Sequence, residues 1–417
     1  MKLLNFNLLK TGYIVLFVFL LAQLFFPTTV GEPIYVDDVE GDGFLNPAEN
    51  FTSIEDALNY SSSGDLIYVL EGTYVVKDSI VINKSVTIAG AGVNKTLLLI
   101  QSTEDISRDC VVEIQASNVT LSGFNIQQYN LTVDGIRVFA NNTTISNNSV
   151  YGMMIGMYMR NSSYNTIENN FFIQNGVAGI KSYMNTDYNK FLNNSFTENF
   201  QNGISLIYDS YSIFQNNYFD GNGFFGANLM YGSNNSFFEN TLRNNQFGGL
   251  RFSGCSKSFI SKNLVSNNSD FGVFLLNCYD NDINNNRIEG HLVGINVSSD
   301  SNYNLIEDNI FRDNEENICR VTEDSKNNFF VDYLILFPSL TVFLWISFFL
   351  SLMLLNMYSF DQNKRDSFFS LLKNVITGKR AFKQEKVKVI SRVTTLFCFT
   401  AIFFTIVTVI MVFLFPK

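Results

Sequence analysis

The sequence predicts an all-β chain: a right-handed parallel β-helix with three short strands per turn, followed by a C-terminal transmembrane helical hairpin. Three observations carry this prediction. A unit of about 23 residues repeats through the central region. Asparagine recurs at fixed places within that unit. Two long apolar segments without a charged residue, about 334–357 and 393–415, follow it.

The repeat shows directly in three consecutive stretches, NTIENNFFIQNGVAGIKSYMNTDY, NKFLNNSFTENFQNGISLIYDSY and SIFQNNYFDGNGFFGANLMYGSN. One apolar column runs Leu121, Ile145, Ile167, Phe191, Phe214, Phe237, Ile260, Ile283, Ile306 and Phe329. A second runs Ile126, Val150, Phe172, Phe196, Phe219, Leu242, Val265, Ile288 and Phe311. A third, usually preceded by Gly, runs Ile136, Met157, Ile180, Ile204, Ala227, Leu250, Val273, Ile295 and Ile318. Short alternating runs between polar corners are strands, because Asn and Gly interrupt too often for a helix. So small a unit cannot bury its own apolar residues, and neighbouring turns must stack, with equivalent residues about 4.8 Å apart.

The corners carry asparagine columns. The first is Asn148, Asn170, Asn194, Asn217, Asn240, Asn263, Asn286 and Asn309; the second is Asn175, Asn199, Asn222, Asn245, Asn268 and Asn314, with His291 in the gap. Asparagine suits these corners through its tolerance of left-handed backbone and through amide bonds up and down the stack. His291, the single histidine, reads as a substituted corner residue.

Residues 1–30 read as a signal peptide or N-terminal anchor, with Lys2 and Lys10 ahead of a short apolar run. Residues 31–64 form an N-terminal cap segment and 65–330 the β-helix. Spans at 331–358 and 393–415 are long enough to cross a bilayer core. Between them, the loop 359–392 holds Lys364, Arg365, Lys373, Lys379, Arg380, Lys383, Lys386, Lys388 and Arg392. Basic loops stay in the cytoplasm, which sets the β-helix outside. The whole chain carries −10, and the part outside the membrane and its basic flanks carries roughly −19. So acidic a surface repels phosphate and excludes nucleic acid as a partner. An upright rod would lift the first turn about 50 Å from the bilayer. That is beyond the reach of a short linker from an N-terminal anchor, so cleavage near residue 30 is expected; a rod lying flat is the alternative.

Asn-x-Ser/Thr triplets at Asn50, Asn59, Asn83, Asn94, Asn118, Asn130, Asn141, Asn142, Asn147, Asn161, Asn193, Asn234, Asn267 and Asn296 are candidate glycan acceptors on an exported chain. An Asn- and Ser-rich composition also produces such triplets by itself.

The segments IYVDD (34–38), GDGFLNP (41–47), FTSIEDAL (51–58), GDLIYVLEGTY (64–74) and INKSVTIAGAG (82–92), with the repeats after them, carry a family resemblance. Over about residues 33–330 the chain resembles the NosD-type periplasmic copper-binding β-helix family with its carbohydrate-binding and sugar-hydrolase repeats, within the pectate-lyase-like superfamily. The resemblance implies an exported β-helix and opens three readings: a surface binding module, a polysaccharide lyase or hydrolase, or a copper-handling accessory. The C-terminal spans depart from the copper-assembly member.

Candidate chemistry is sparse. Tyr164, Tyr188 and Tyr211 repeat at one position in successive turns and form an aromatic strip suited to sugar rings. Asp38, Glu40, Asp42 and Glu49 have oxygen ligands at calcium-loop spacing, but a strand-like segment precedes them where an EF-hand has a helix. Met153, Met154, Met157 and Met159 offer thioethers for Cu(I), although Met157 falls in the third core column. Asp187, Asp209, Asp280 and Asp300 read as solvated turn carboxylates. Neither they nor a G-H-G motif, which is absent, supplies an acid/base pair. Cys255 and Cys278 stand one repeat apart, close enough for a disulfide, with a reduced stack favoured by the torsion of in-register strands.

The expected protein is therefore a membrane-anchored extracytoplasmic β-helix, a non-catalytic binding or structural module for glycans or envelope partners. Cysteine labelling on intact cells tests the topology: Asn234→Cys should react with an impermeant maleimide and Ser370→Cys should not, and the reverse pattern overturns it.

Overall fold

The computed structural model describes residues 33–38, 50–100, 109–128, 131–298, 300–318 and 328–331. They form three parallel sheets of 14, 11 and 11 strands. Within each sheet, successive turns of the chain lie side by side. Sheet 1 runs from Ile34–Val36 and Asn50–Phe51 to Phe329–Val331, sheet 2 from Gly72–Val75 to Ile310–Arg312, and sheet 3 from Ile80–Ile82 to Glu316–Ile318.

The three apolar columns hold their register. Phe191 pairs with Phe214 and Phe214 with Phe237 in sheet 1; Phe196 pairs with Phe219 in sheet 2; Ile204 pairs with Ala227 in sheet 3. All are fully buried. Phe191 and Phe214 stack face to face with ring centroids 4.8 Å apart, as do Phe196 and Phe219, whereas Phe237 is tilted by 31° against Phe214. Gly before the third column answers to close approach. A Cβ on Gly203 would lie 2.5 Å from the Gly226 carbonyl oxygen and 2.8 Å from Phe219.

The corner asparagines are inward amide ladders. Asn217 accepts the Asn194 backbone N–H at 2.9 Å, and its Nδ2 donates to the Phe191 carbonyl at 2.8 Å and to Asn240 Oδ1 at 3.0 Å. The same pattern recurs along the second column. The expectation that these asparagines take the left-handed conformation is corrected. The positive φ falls one residue earlier, at Asn147, Asn169, Asn193, Asn216, Glu239, Lys262, Asn285 and Asp308. The chain flips at an exposed residue so that the next side chain points in and satisfies backbone groups that the turn leaves unpaired. A third ladder, Asn165, Asn189, Ser212, Asn235, Ser258, Asn281, Asn304 and Asn328, was not foreseen; Ser212 Oγ accepts the Asn189 N–H at 3.0 Å.

The N-terminal end is closed by one helix, α1 (Ile54–Tyr60), absent from the sequence reading of the cap. Ser53 Oγ accepts the Asp56 N–H, and Ile54, Ala57 and Leu58 are buried. Lys84 Nζ ties its C-terminal end by donating to the carbonyls of Leu58, Asn59 and Ser61. Segments 1–30, 359–392 and 393–415, and all of 331–358 but Val331, lie outside the described residues. Among the described residues no helix is long and apolar enough to cross a membrane.

The ladder and its flipping residue make opposite demands, which two neighbouring substitutions separate. Asn217→Ala strands the Asn194 N–H and the Phe191 carbonyl in the interior and should cost about 3 kcal/mol or more. The exposed Asn216→Gly, at φ 55°, should fall within about 0.5 kcal/mol of wild type. Chemical denaturation of the two variants measures the difference.

Candidate functional site

The corner that leads from sheet 3 into sheet 1 carries the tyrosines. Tyr164, Tyr188 and Tyr211 are 58%, 43% and 49% exposed and stacked, with centroids 4.9 and 4.8 Å apart and planes 2° and 7° from parallel. Packing between Tyr164 and Tyr211 raises the Tyr188 phenol above its ordinary value. Rings stacked in this way cover most of one another's faces. Along the row they therefore present ring edges and phenol oxygens. A second row, missed in the sequence, lies three residues upstream: Tyr208 and Tyr231 stack at 5.3 Å. The recurrence of Tyr208 and Tyr231 one repeat apart was its signal.

All five tyrosines have positive φ, between 58° and 62°. Glycine takes that conformation without steric cost, whereas a bulky side chain is strained there by about 1–3 kcal/mol. Stacking offsets part of that cost.

Sheet 3 turns a column of register partners outward: Arg137, Tyr158, Lys181, Ser205, Asn228, Arg251, Phe274 and Asn296. Ser205 lies between the fully buried Ile204 and Leu206, so it points away from the core, yet it is only 8% exposed. Asn228 is 5% exposed. This face is recessed. At its N-terminal part Arg137 is bound by Asp134 at 2.8 Å and Asp109 at 2.9 Å. Burial raises the Asp134 carboxyl against the opposing pull of Arg137.

The other candidates divide. Asp38 is a structural acceptor for the Thr73 N–H at 2.8 Å; Glu40, Asp42 and Glu49 lie outside the described residues. Met153, Met157 and Met159 are fully buried in the core, with Met154 exposed. Among the described residues no group of three His, Cys, Asp or Glu is placed to hold a metal. Cys255 and Cys278 are free, buried thiols that donate to the Leu229 and Phe252 carbonyls, and burial pushes them up to about 12 and about 11.

Asp209 corrects the reading of solvated turn carboxylates. Asp280 and Asp300 are exposed, but Asp209 is 2% exposed, neither carboxylate oxygen has a hydrogen-bond partner, and burial raises it to about 8. His291 does fill the second ladder. Asn314 Oδ1 can only accept, so His291 Nδ1 carries the proton and Nε2 accepts from Asn268 Nδ2 at 3.1 Å. Burial lowers its pKa to about 4.

Of the glycan-acceptor candidates, Asn59, Asn83, Asn94, Asn118, Asn141, Asn142, Asn147, Asn161, Asn193 and Asn267 are exposed and Asn234 is half-buried. Asn296 is corrected: it is 7% exposed in a strand and accepts from Ser298 Oγ, which leaves no room for a glycan. The Asn50 side chain and Asn130 lie outside the described residues. Asn147, Asn193, Asn234 and Asn267 sit at positive φ before a ladder asparagine and a serine. The corner pattern itself therefore generates these triplets.

The buried ionisable groups predict opposite pH dependences. Neutral His291 stabilises the fold fully above about pH 6.5, and the contribution is lost as pH falls towards 4, up to about 3 kcal/mol. Denaturation of His291→Asn beside wild type should show the gap between them moving in favour of the variant over that window. Asp209 has a raised pKa, so its stability contribution is present below about pH 4 and is lost as pH rises through 8. Asp209→Asn should accordingly stabilise most at pH 8 and above, as thermal midpoints will read.

Comparison with known proteins agrees with the fold. A family model described as periplasmic copper-binding protein (NosD) matches residues 189–333, and one described as right handed beta helix region matches residues 100–241. The A-module of mannuronan C-5 epimerase AlgE6 from Azotobacter vinelandii is 17% identical, over 66% of this chain and 91% of the module, with a TM-score of 0.55. The Dettilon tailspike protein is 13% identical, over 67% of this chain and 64% of its own, with a TM-score of 0.56. At such identities the likeness is one of fold. No curated protein sequence matches the chain. The overlapping family matches across the repeats, together with three parallel sheets in register, make this chain a right-handed parallel β-helix similar to the NosD type.

Proposed function

We propose that the chain is a membrane-anchored, extracytoplasmic β-helix that binds glycans through its tyrosine corner without transforming them. The observation that carries the proposal is the row Tyr164, Tyr188 and Tyr211, exposed and held at positive φ in successive turns. Exposed aromatic residues at such corners are costly to stability, where Asn or Gly would serve the turn. Tyrosine offers rigid contact area at small entropic cost, plus a hydroxyl for hydrogen bonding. The exposed ring edges suit apolar contact with a sugar ring, and the phenol oxygens suit sugar hydroxyls. Anchoring and exterior placement rest on the apolar segments 331–358 and 393–415 and the basic loop 359–392.

A second reading, a polysaccharide-acting enzyme, has one observation in its favour: Asp134 beside Arg137, buried, raised, and with Oδ1 unpartnered. Among the described residues no second carboxylate is paired with it as an acid/base couple.

A glycan array probed with the full chain in detergent micelles tests the binding reading. We expect retention on a subset of polysaccharides and at least a tenfold loss in the double variant Tyr188→Ala/Tyr211→Ala, with the melting temperature held or raised. Retention of full affinity by that variant refutes the tyrosine site, and release of new reducing ends from a bound polysaccharide refutes the non-catalytic role.

A further inference from the structure

The outward face of sheet 3 has a polarity that the chain as a whole does not. The protein holds 38 acidic and 28 basic residues, yet from Tyr158 to Asn296 this column contains no carboxylate and two cations, Lys181 and Arg251. Neither has a carboxylate partner among the described residues, whereas Arg137 is neutralised by Asp134 and Asp109.

Arg251 is held in place by its surroundings. Its guanidinium carbon lies 5.8 Å from the Phe225 ring centroid and 5.9 Å from that of Phe274, within cation–π range of both. Its Nε is buried and has no hydrogen-bond partner. The adjacent register partner is Asn228, 5% exposed, whose Oδ1 is also buried and unpartnered. Buried polar atoms of this kind are destabilising when left unmatched. Here the two are complementary and neighbouring: Arg251 Nε is a donor seeking an acceptor, and Asn228 Oδ1 is an acceptor seeking a donor. In adjacent parallel strands they sit about 4.8 Å apart along the stack. They do not satisfy each other.

We infer that this recess is an anion-reading subsite, with Arg251 receiving an oxyanion and Asn228 receiving a neighbouring hydroxyl of the same ligand. Lys181, three turns from Arg251 on the same column, supplies a second positive charge for a further anionic group of a polymer. The ligand class is a polyanion in which charged oxygens alternate with hydroxyl groups. This deepens the glycan reading and rests on it: the glycan would be an acidic one. The same chemistry has two sources, the carboxylates of a uronic-acid polysaccharide and the phosphodiesters of a polyol phosphate.

Isothermal titration of the full chain in detergent micelles with four probes tests the inference: a glucuronate-containing hexasaccharide of hyaluronan, the same hexasaccharide with its carboxyls reduced to alcohols, a glycerol-phosphate hexamer, and a neutral glucose hexamer. We expect one of the two anionic probes to bind at least tenfold more tightly than the neutral ones, with affinity falling as salt rises. Whichever anion binds names the source. Arg251→Met, which keeps the stem between the two rings, should lose that preference about tenfold while its melting temperature stays within a few degrees. Asn228→Asp, which presents a charge to the oxyanion, should lose it as well. Equal affinity for the hyaluronan hexasaccharide and its reduced form, with no binding of the phosphate hexamer, overturns the anion subsite and leaves glycan binding standing. An anion preference unchanged in Arg251→Met also overturns the subsite. Absence of binding to all four probes overturns it too, while the array result stands as the separate test of the glycan reading.

Discussion

Every turn of this chain must bring its backbone around three corners, and at each corner N–H and C=O groups face an interior without water. Satisfying them is the constraint on which the rest of the structure depends. The amide ladders meet it. An asparagine such as Asn240 accepts the backbone N–H of Asn217 at 2.8 Å and donates back to the Phe214 carbonyl at 2.9 Å. Those bonds form only if each turn stacks on the next in register. The same register delivers Phe onto Phe and Ile onto Ile in the core, so hydrophobic burial and polar satisfaction select one alignment together. A slip of one residue would break both.

Repetition has consequences on the outside. In a stacked fold, any outward position becomes a column, so a residue type retained over three turns becomes a strip without further design. The tyrosine rows and the cationic column on sheet 3 are both products of this geometry. The same logic lowers the weight of the Asn-x-Ser/Thr triplets. A flipping Asn, a ladder Asn and a small residue opening the next strand spell the motif for structural reasons, as at Asn193-Asn194-Ser195. Most of those side chains are reachable by solvent all the same, so corner geometry and glycan attachment do not compete for them.

The exceptions to the repeat are informative because a ladder tolerates few residue types. Histidine can replace asparagine at position 291 because a neutral ring has one donor and one acceptor, pointing in the two directions that the amide used. Asp209 has no such accommodation. Its column neighbours are Thr186 and Gly232, and its carboxylate enters a space from which water is largely excluded. Neutral acid is the form that space favours.

The sequence by itself determined the architecture. The three apolar columns could be written out residue by residue, because inward positions admit only a narrow class of side chain and recur with the turn. The two asparagine ladders were legible for the same reason. Their backbone conformation was not: in an Asn-Asn pair, one residue flips and the other points in, and the letters are identical. The third ladder escaped notice because serine replaces asparagine in it, and the α1 cap because a single helical turn or two leaves little periodicity. Of the tyrosines, position and recurrence were readable, whereas their face-to-face stacking and positive φ were not. Only the tertiary structure decided which corner carboxylate is buried and which cations share a face, since Lys181, Asn228 and Arg251 come onto one column through stacking across turns rather than through any spacing within one.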